Sequence, residues 1–158
     1  MATVLQLRQR LAPLVNKEVV YGIFFESVKA FEAYLIDLNQ IRLEDGEDVF
    51  GNLTGTYSKS TELESLFGEG PRPIRPKVEG EPYNFQWTGG LFDGMRIDIF
   101  SDSAEFDSTD PKTGELKRKY GQILGLQERD LEEAIRERLF PDFIKRFRQR
   151  LGYAAIGT

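Results

Sequence analysis

The sequence contains no cysteine and no histidine among its 158 residues. Without cysteine there can be no disulfide, zinc-thiolate site, iron–sulfur cluster or thiol nucleophile. Without histidine, the commonest general base and the commonest transition-metal ligand are missing too. Together these absences remove most hydrolase constellations. Long apolar runs are also lacking, since none approaches the roughly twenty residues that a membrane span requires. The opening stretch MATVLQLRQRLAPLV has no basic segment followed by a continuous apolar core. A soluble chain kept in a reducing compartment, away from membranes, is expected. Positive charge is in deficit: 21 Lys and Arg face 26 Asp and Glu, a net charge of −5. Such a field repels phosphate backbones, so sequence-specific nucleic-acid binding is not expected.

What is present is ordinary for a folded chain. Hydrophobic residues make up 40% and charged residues 30%, and the length suits one compact domain over residues 1–158. Val4, Leu7 and Leu11 predict a short amphipathic helix over residues 3–12, ended by Pro13. Val20, Phe24, Val28, Phe31, Leu35 and Leu38 recur at helical spacing and predict a long helix over 17–43. Residues 44–85 read as an irregular loop, a short helix and a proline arm. In EDGEDVFGN the glycines and acids signal turns, and an EF-hand is disfavoured because Val49 and Phe50 stand where oxygen ligands belong. Ser58 or Ser60 is placed to cap a helix running through Glu62 and Leu66.

Residues 68–82, GEGPRPIRPKVEGEP, hold four prolines and three glycines and cannot pack as helix or central strand. This arm is locally basic, and its residues Pro71, Arg72, Ile74, Arg75 and Lys77, with Trp87 beyond it, are the candidate interaction residues. Residues 86–109 predict a turn followed by a β-hairpin, with Ile97 and Ile99 alternating against Arg96 and Asp98. In FQWTGGLFDGMRI, Thr88 and Gly89 open the turn, Leu91 and Phe92 plug the core and Gly94 releases the chain into a strand. A phosphate-cradling loop would place its glycines after a strand and before a helix, which is the reverse order. The hairpin acids Asp98, Glu105 and Asp107 raise the alternative of a metal-dependent enzyme acting on phosphodiesters, set against a solvated hairpin face. Residues 115–151 form a helical part. Its stripe is Leu131, Ile135, Leu139, Phe143, Phe147 and Leu151, its start is acidic and its end basic, and Pro141 is expected to kink or split it.

The expected fold class is therefore α+β, with a long N-terminal helix and a C-terminal helix packed on a small antiparallel sheet, and with extended irregular arms. The order of these pieces resembles the bacteriophage virion morphogenesis or tail-completion family, with its head–tail joining and minor tail relatives. The pieces that carry the resemblance are LEDGEDVFGN, TYSKST (Tyr57, Ser58, Thr61), TGGLFDGMRIDI (Thr88, Gly89, Leu91) and KYGQILGLQERDLEEAI (Tyr120, Gly121, Leu124, Gly125, Leu126). Gly94 and Gln127 depart from it, standing where a Ser and a capping Ser or Thr are usual. The resemblance implies a structural virion protein at the neck or tail, assembled in host cytoplasm, with neither catalysis nor cofactor. Its implied partners are the portal-side connector, the tail tube or terminator, and further copies of itself in a ring. A host-directed binding module on the same fold is the other alternative.

Overall fold

The structure, a computed structural model, describes Ala12 and residues 16–152. Of the expected helix over 3–12, therefore, only Ala12 lies within the described residues. Asn16 caps α1 (Lys17–Ala30) by accepting the Glu18 N–H at 2.9 Å. The expected single helix then divides at Phe31, whose backbone (φ −108°, ψ 16°) leaves the helical well before α2 (Glu32–Glu44) begins. Neither glycine nor proline marks the break. It coincides with two side-chain engagements: Ser27 donates back to the Ile23 carbonyl, a contact that bends helices, and Glu32 accepts the backbone N–H of Ile97 at 3.0 Å.

α3 (Lys59–Phe67) is capped by Ser58, whose hydroxyl accepts the Thr61 N–H at 3.3 Å. The single helical turn α4 (Gly90–Asp93) hands over to β1 (Met95–Ile99), which pairs antiparallel with β2 (Ala104–Ser108) in the register Met95–Ser108 to Ile99–Ala104. α5 (Thr113–Tyr120) ends at Gly121, and α6 (Glu128–Ala134) leads through a π-helical turn (Ile135–Leu139) into α7 (Phe140–Arg150). The fold is α+β, with helices packed on a two-stranded antiparallel sheet.

The expected C-terminal stripe is corrected at its start. Leu131 is exposed, and buried Ala134 takes its place facing the core. A spacing of four drifts by about 40° per step on a helix of 3.6 residues per turn, so a stripe of that spacing cannot stay on one side. The π-turn absorbs an extra residue and restores the phase. It also relieves Pro141, which supplies no N–H and would crowd the carbonyl four residues back.

The core has two clusters. Val28, Leu35, Ile97, Ala134 and Leu139 form one, and Leu43, Leu91, Phe92, Met95 and Ile123 the other, with Ile36 touching both. Apart from the smaller Ala134, each side chain so buried contributes about 1.5–3 kcal/mol. α1 packs on α7, where Phe24 meets Phe143 edge-on at 6.2 Å, and α2 lies against β1. Arg146 and Arg150, at the basic end of α7, pair with Glu26 of α1, and Arg146 also pairs with Asp142. No described helix is long and apolar enough to cross a membrane.

Candidate functional site

Four chain segments that look unrelated in the sequence meet around one cleft of about 370 Å³. The first is the approach to α3, with Tyr57 and Thr61. The arm contributes Lys77. Residues 83–91 contribute the wall, and α5 with the turn before it supplies the far rim.

The arm reaches the cleft because its base and its middle are both fixed. Tyr57 N–H donates to the Glu81 carbonyl at 2.9 Å, Gly80 N–H to the Tyr57 carbonyl at 3.0 Å and Tyr83 N–H to the Gly55 carbonyl at 3.1 Å. Residues 55–57 and 80–83 thus clasp the arm at its base. In the middle, Trp87 Nε1 donates to the Pro71 carbonyl at 2.8 Å, while Ile74 N–H donates to the Trp87 carbonyl at 2.9 Å. Trp87 is therefore an anchor of the arm, as its position after the prolines suggests.

Gly89 is left-handed (φ +86°), a conformation that favours glycine, and it turns the chain into α4. Gly94 has an ordinary φ of −88°, and space rather than conformation demands it. A Cβ there would stand 2.6 Å from Thr109 Oγ1 and 2.7 Å from Ser108 Oγ. Leu91 and Phe92 are buried in the second core cluster, as expected for plugs.

One arm residue must be reassigned. Lys77, read from its proline-rich surroundings as an outward interaction residue, is only 1% exposed. Its Nζ donates to the Gln86 carbonyl at 2.6 Å and to Asn84 Oδ1, and sits 5.4 Å from the centre of the Tyr57 ring. Burial, together with the charge of Arg75, pushes the ammonium down to about 8. Asn84 Oδ1 also accepts from the Tyr57 hydroxyl (3.0 Å) and the Gln86 N–H (3.2 Å). Burial raises the Tyr57 phenol above its ordinary value. Pro71, Arg72, Ile74 and Arg75 do remain exposed.

The cleft wall is aromatic. Tyr57 meets Tyr83 at 4.9 Å, Tyr83 meets Tyr120 at 5.4 Å and Phe85 meets Tyr120 at 5.2 Å, all edge to face, the arrangement that ring quadrupoles favour. Phe85 holds φ +53°, the one described non-glycine residue at positive φ, a strain that its packing in the second cluster sustains. Lys112 and Lys119 stand on the rim beside Asp110 and Glu115.

The structure thus gathers Tyr57, Thr61, Thr88, Gly89, Leu91 and Tyr120 of the sequence motifs at the cleft, while Ser58 serves as a helix cap. Gly121, Leu124, Gly125 and Leu126 do not line it: Leu124 packs on the second cluster, Leu126 on the first, and the segment around Gly125 lies against α2. There Arg42, 4% exposed, donates to the carbonyls of Glu47, Ile123 (2.6 Å) and Gly125 (3.1 Å). Asn39 Oδ1 accepts the Gly125 N–H at 2.6 Å. Gln127 does not cap α6 with its side chain, which reaches Glu47 instead at 2.6 Å.

The hairpin acids share one face, with Asp98 opposite Glu105, but a cation sits among them. Arg96 lies between Asp98 (2.9 Å) and Asp107 (3.2 Å), and Lys117 holds Asp107 at 2.8 Å, keeping its carboxyl below the usual range. Among the described residues no group of three or more acidic side chains is placed to hold a metal ion. In the acidic turn, Asp48 Oδ1 is occupied by the N–H groups of Phe50 and Asn52, both at 2.9 Å. Sequence reasoning missed Tyr83, Phe85, Gln86, Lys112 and Lys119 at the cleft, and Asn84 as the partner of Lys77. Only the aromatic spacing of Tyr83, Phe85 and Trp87 could have signalled them. Compared with protein-family profiles, curated proteins and solved structures, the chain has no match.

Proposed function

We propose that this chain is a structural subunit of a tailed-phage particle, a neck or tail-completion protein that works by self-assembly and by binding connector and tail proteins. One observation carries the reading. Motif pieces dispersed over residues 57–120 meet around a single cleft beside a clasped arm that exposes Ile74, a form suited to engaging a neighbour. Phe67 at the end of α3 and Ile74 on the arm, exposed by 77% and 59%, offer apolar side chains for such an engagement. The particle is the proposed location, after synthesis in host cytoplasm. The proposed partners are the portal-side connector, the tail tube or terminator, and further copies in a ring.

Purified chain should form a defined homo-oligomer or join connector and tail-tube proteins, as seen by light scattering and negative-stain imaging. A monodisperse monomer that binds none of them at high concentration would overturn the reading. The phosphodiesterase alternative draws no support from the hairpin, where Asp98 and Asp107 are paired with cations.

A further inference from the structure

Lys77 is a sealed cation with neutral acceptors. Its described partners are an amide oxygen, a backbone carbonyl and a phenol ring, and none is a carboxylate. An ammonium so placed retains much of its desolvation penalty, which a nearby anion would offset. The cleft that it lines also carries Lys112 and Lys119, against Asp110 and Glu115, so three lysines face two carboxylates and one positive charge is left over. In a molecule of net charge −5 that local excess is a specific feature. A cationic guest would meet the exposed ammonium groups of Lys112 and Lys119 and feel the charge of the buried Lys77, although the aromatic wall would otherwise suit it. A polyphosphate would meet the two acids on the rim. A singly charged anion with a flat apolar body matches both the charge and the wall. The volume, about 370 Å³, falls at the small end of ligand pockets, which run from roughly 300 to 1,000 Å³.

We propose that the cleft between Lys77, Trp87 and Tyr120 is a binding site for a single carboxylate carried on an aromatic or apolar body. Resting on the assembly reading above, the inference goes one step further: a segment of a neighbouring virion protein supplies that carboxylate.

The chain contains one tryptophan, Trp87, and it lines the cleft, so its fluorescence reports occupancy. The full chain is titrated with N-acetylphenylalanine, with the neutral amide of the same compound and with adenosine triphosphate. The acid should give a saturable change. The amide should bind roughly tenfold or more weakly, the effect of losing one charge-assisted hydrogen bond, and the nucleotide should bind more weakly than the acid. Lys77→Met should erase the preference of acid over amide, with the far-ultraviolet circular dichroism unchanged. If that variant fails to fold, Lys112→Gln combined with Lys119→Gln, both at exposed side chains, should weaken the acid several-fold and leave the amide unaffected. Equal binding of acid and amide, tighter binding of the nucleotide, or no effect of these substitutions overturns the proposal.

A terminally blocked peptide containing Phe-Glu distinguishes the sources. Tighter binding than the free acid supports a protein segment, and weaker binding overturns the partner assignment while the carboxylate site stands. Because the isolated chain is used, failure here is distinct from failure to join tail proteins.

Discussion

Lys77 links a buried position to a measurable response to pH. Its folded-state value, lowered to about 8 from 10.5 by burial and then by Arg75, means that between those values the unfolded chain binds more protons than the folded one. Stability contributed by this group therefore rises as pH climbs from about 8 towards 10.5, and the burial penalty is felt in full below that window. The slope is at most about 1.4 kcal/mol per pH unit, the value for one proton. Urea unfolding across this range should show it as a difference between the wild type and Lys77→Met, which cancels the opposite trend from Lys59 and Lys119, whose values are raised. Parallel pH profiles for the two proteins would show that Lys77 titrates normally. At Gly94 the governing quantity is space. Ser108 Oγ, one of the two atoms that a Cβ would strike, donates to the Leu91 carbonyl at 2.8 Å and cannot turn away without losing that bond. Gly94→Ala should cost about 1–3 kcal/mol, as overpacking does. Thr109→Ala added to it should recover part of the loss, a coupling that a double-mutant unfolding cycle would measure.

Between elements, the link that matters most is made by Arg42, which ties α2 to the segment Ile123–Gly125 through the carbonyls of Ile123 and Gly125 while also holding the Glu47 carbonyl. No lysine reproduces that fork, because its single ammonium cannot span separate acceptors in the same plane. Arg42→Lys should lose about 2 kcal/mol or more, and the amides of residues 122–126 should exchange with solvent faster than those of β1. Unchanged exchange in that segment would deny Arg42 its clasping role. This link also marks where the sequence stops being legible. The helices, the Ser58 cap, the hairpin and the Gly94 handover all follow from local rules of periodicity, capping and turn chemistry. Arg42, Asn39 and Lys77 do not, because a charged or amide residue is read as solvated unless partners distant in the chain are known. The division at Phe31 and the π-turn at Ile135–Leu139 are likewise decided by tertiary fit. The cleft was only partly legible: its glycines and Trp87 announce a junction, whereas its chemistry depends on Lys77 and the tyrosines, brought together from segments far apart in the chain.

At the scale of the whole molecule, net charge and exposed apolar groups oppose each other. A charge of −5 makes copies repel at long range, while Leu63 and Phe67 on α3 and Ile74 on the arm offer contacts at short range. Added salt screens the first and leaves the second intact, so association through this surface should strengthen at moderate ionic strength. Sedimentation velocity across a salt series checks that direction. Phe67→Asp with Ile74→Asp should abolish association and capture by connector or tail-tube proteins. The unfolding free energy should stay within the range of ordinary surface changes, about ±0.5 kcal/mol, because neither side chain belongs to the core clusters. The acid titration of Trp87 should be unaffected by the Phe67 change, which lies outside the cleft lining. Association and capture that persist in the double variant would move the interface away from the arm, towards the exposed Phe50 and Leu53 of the acidic turn or Phe140 at the start of α7.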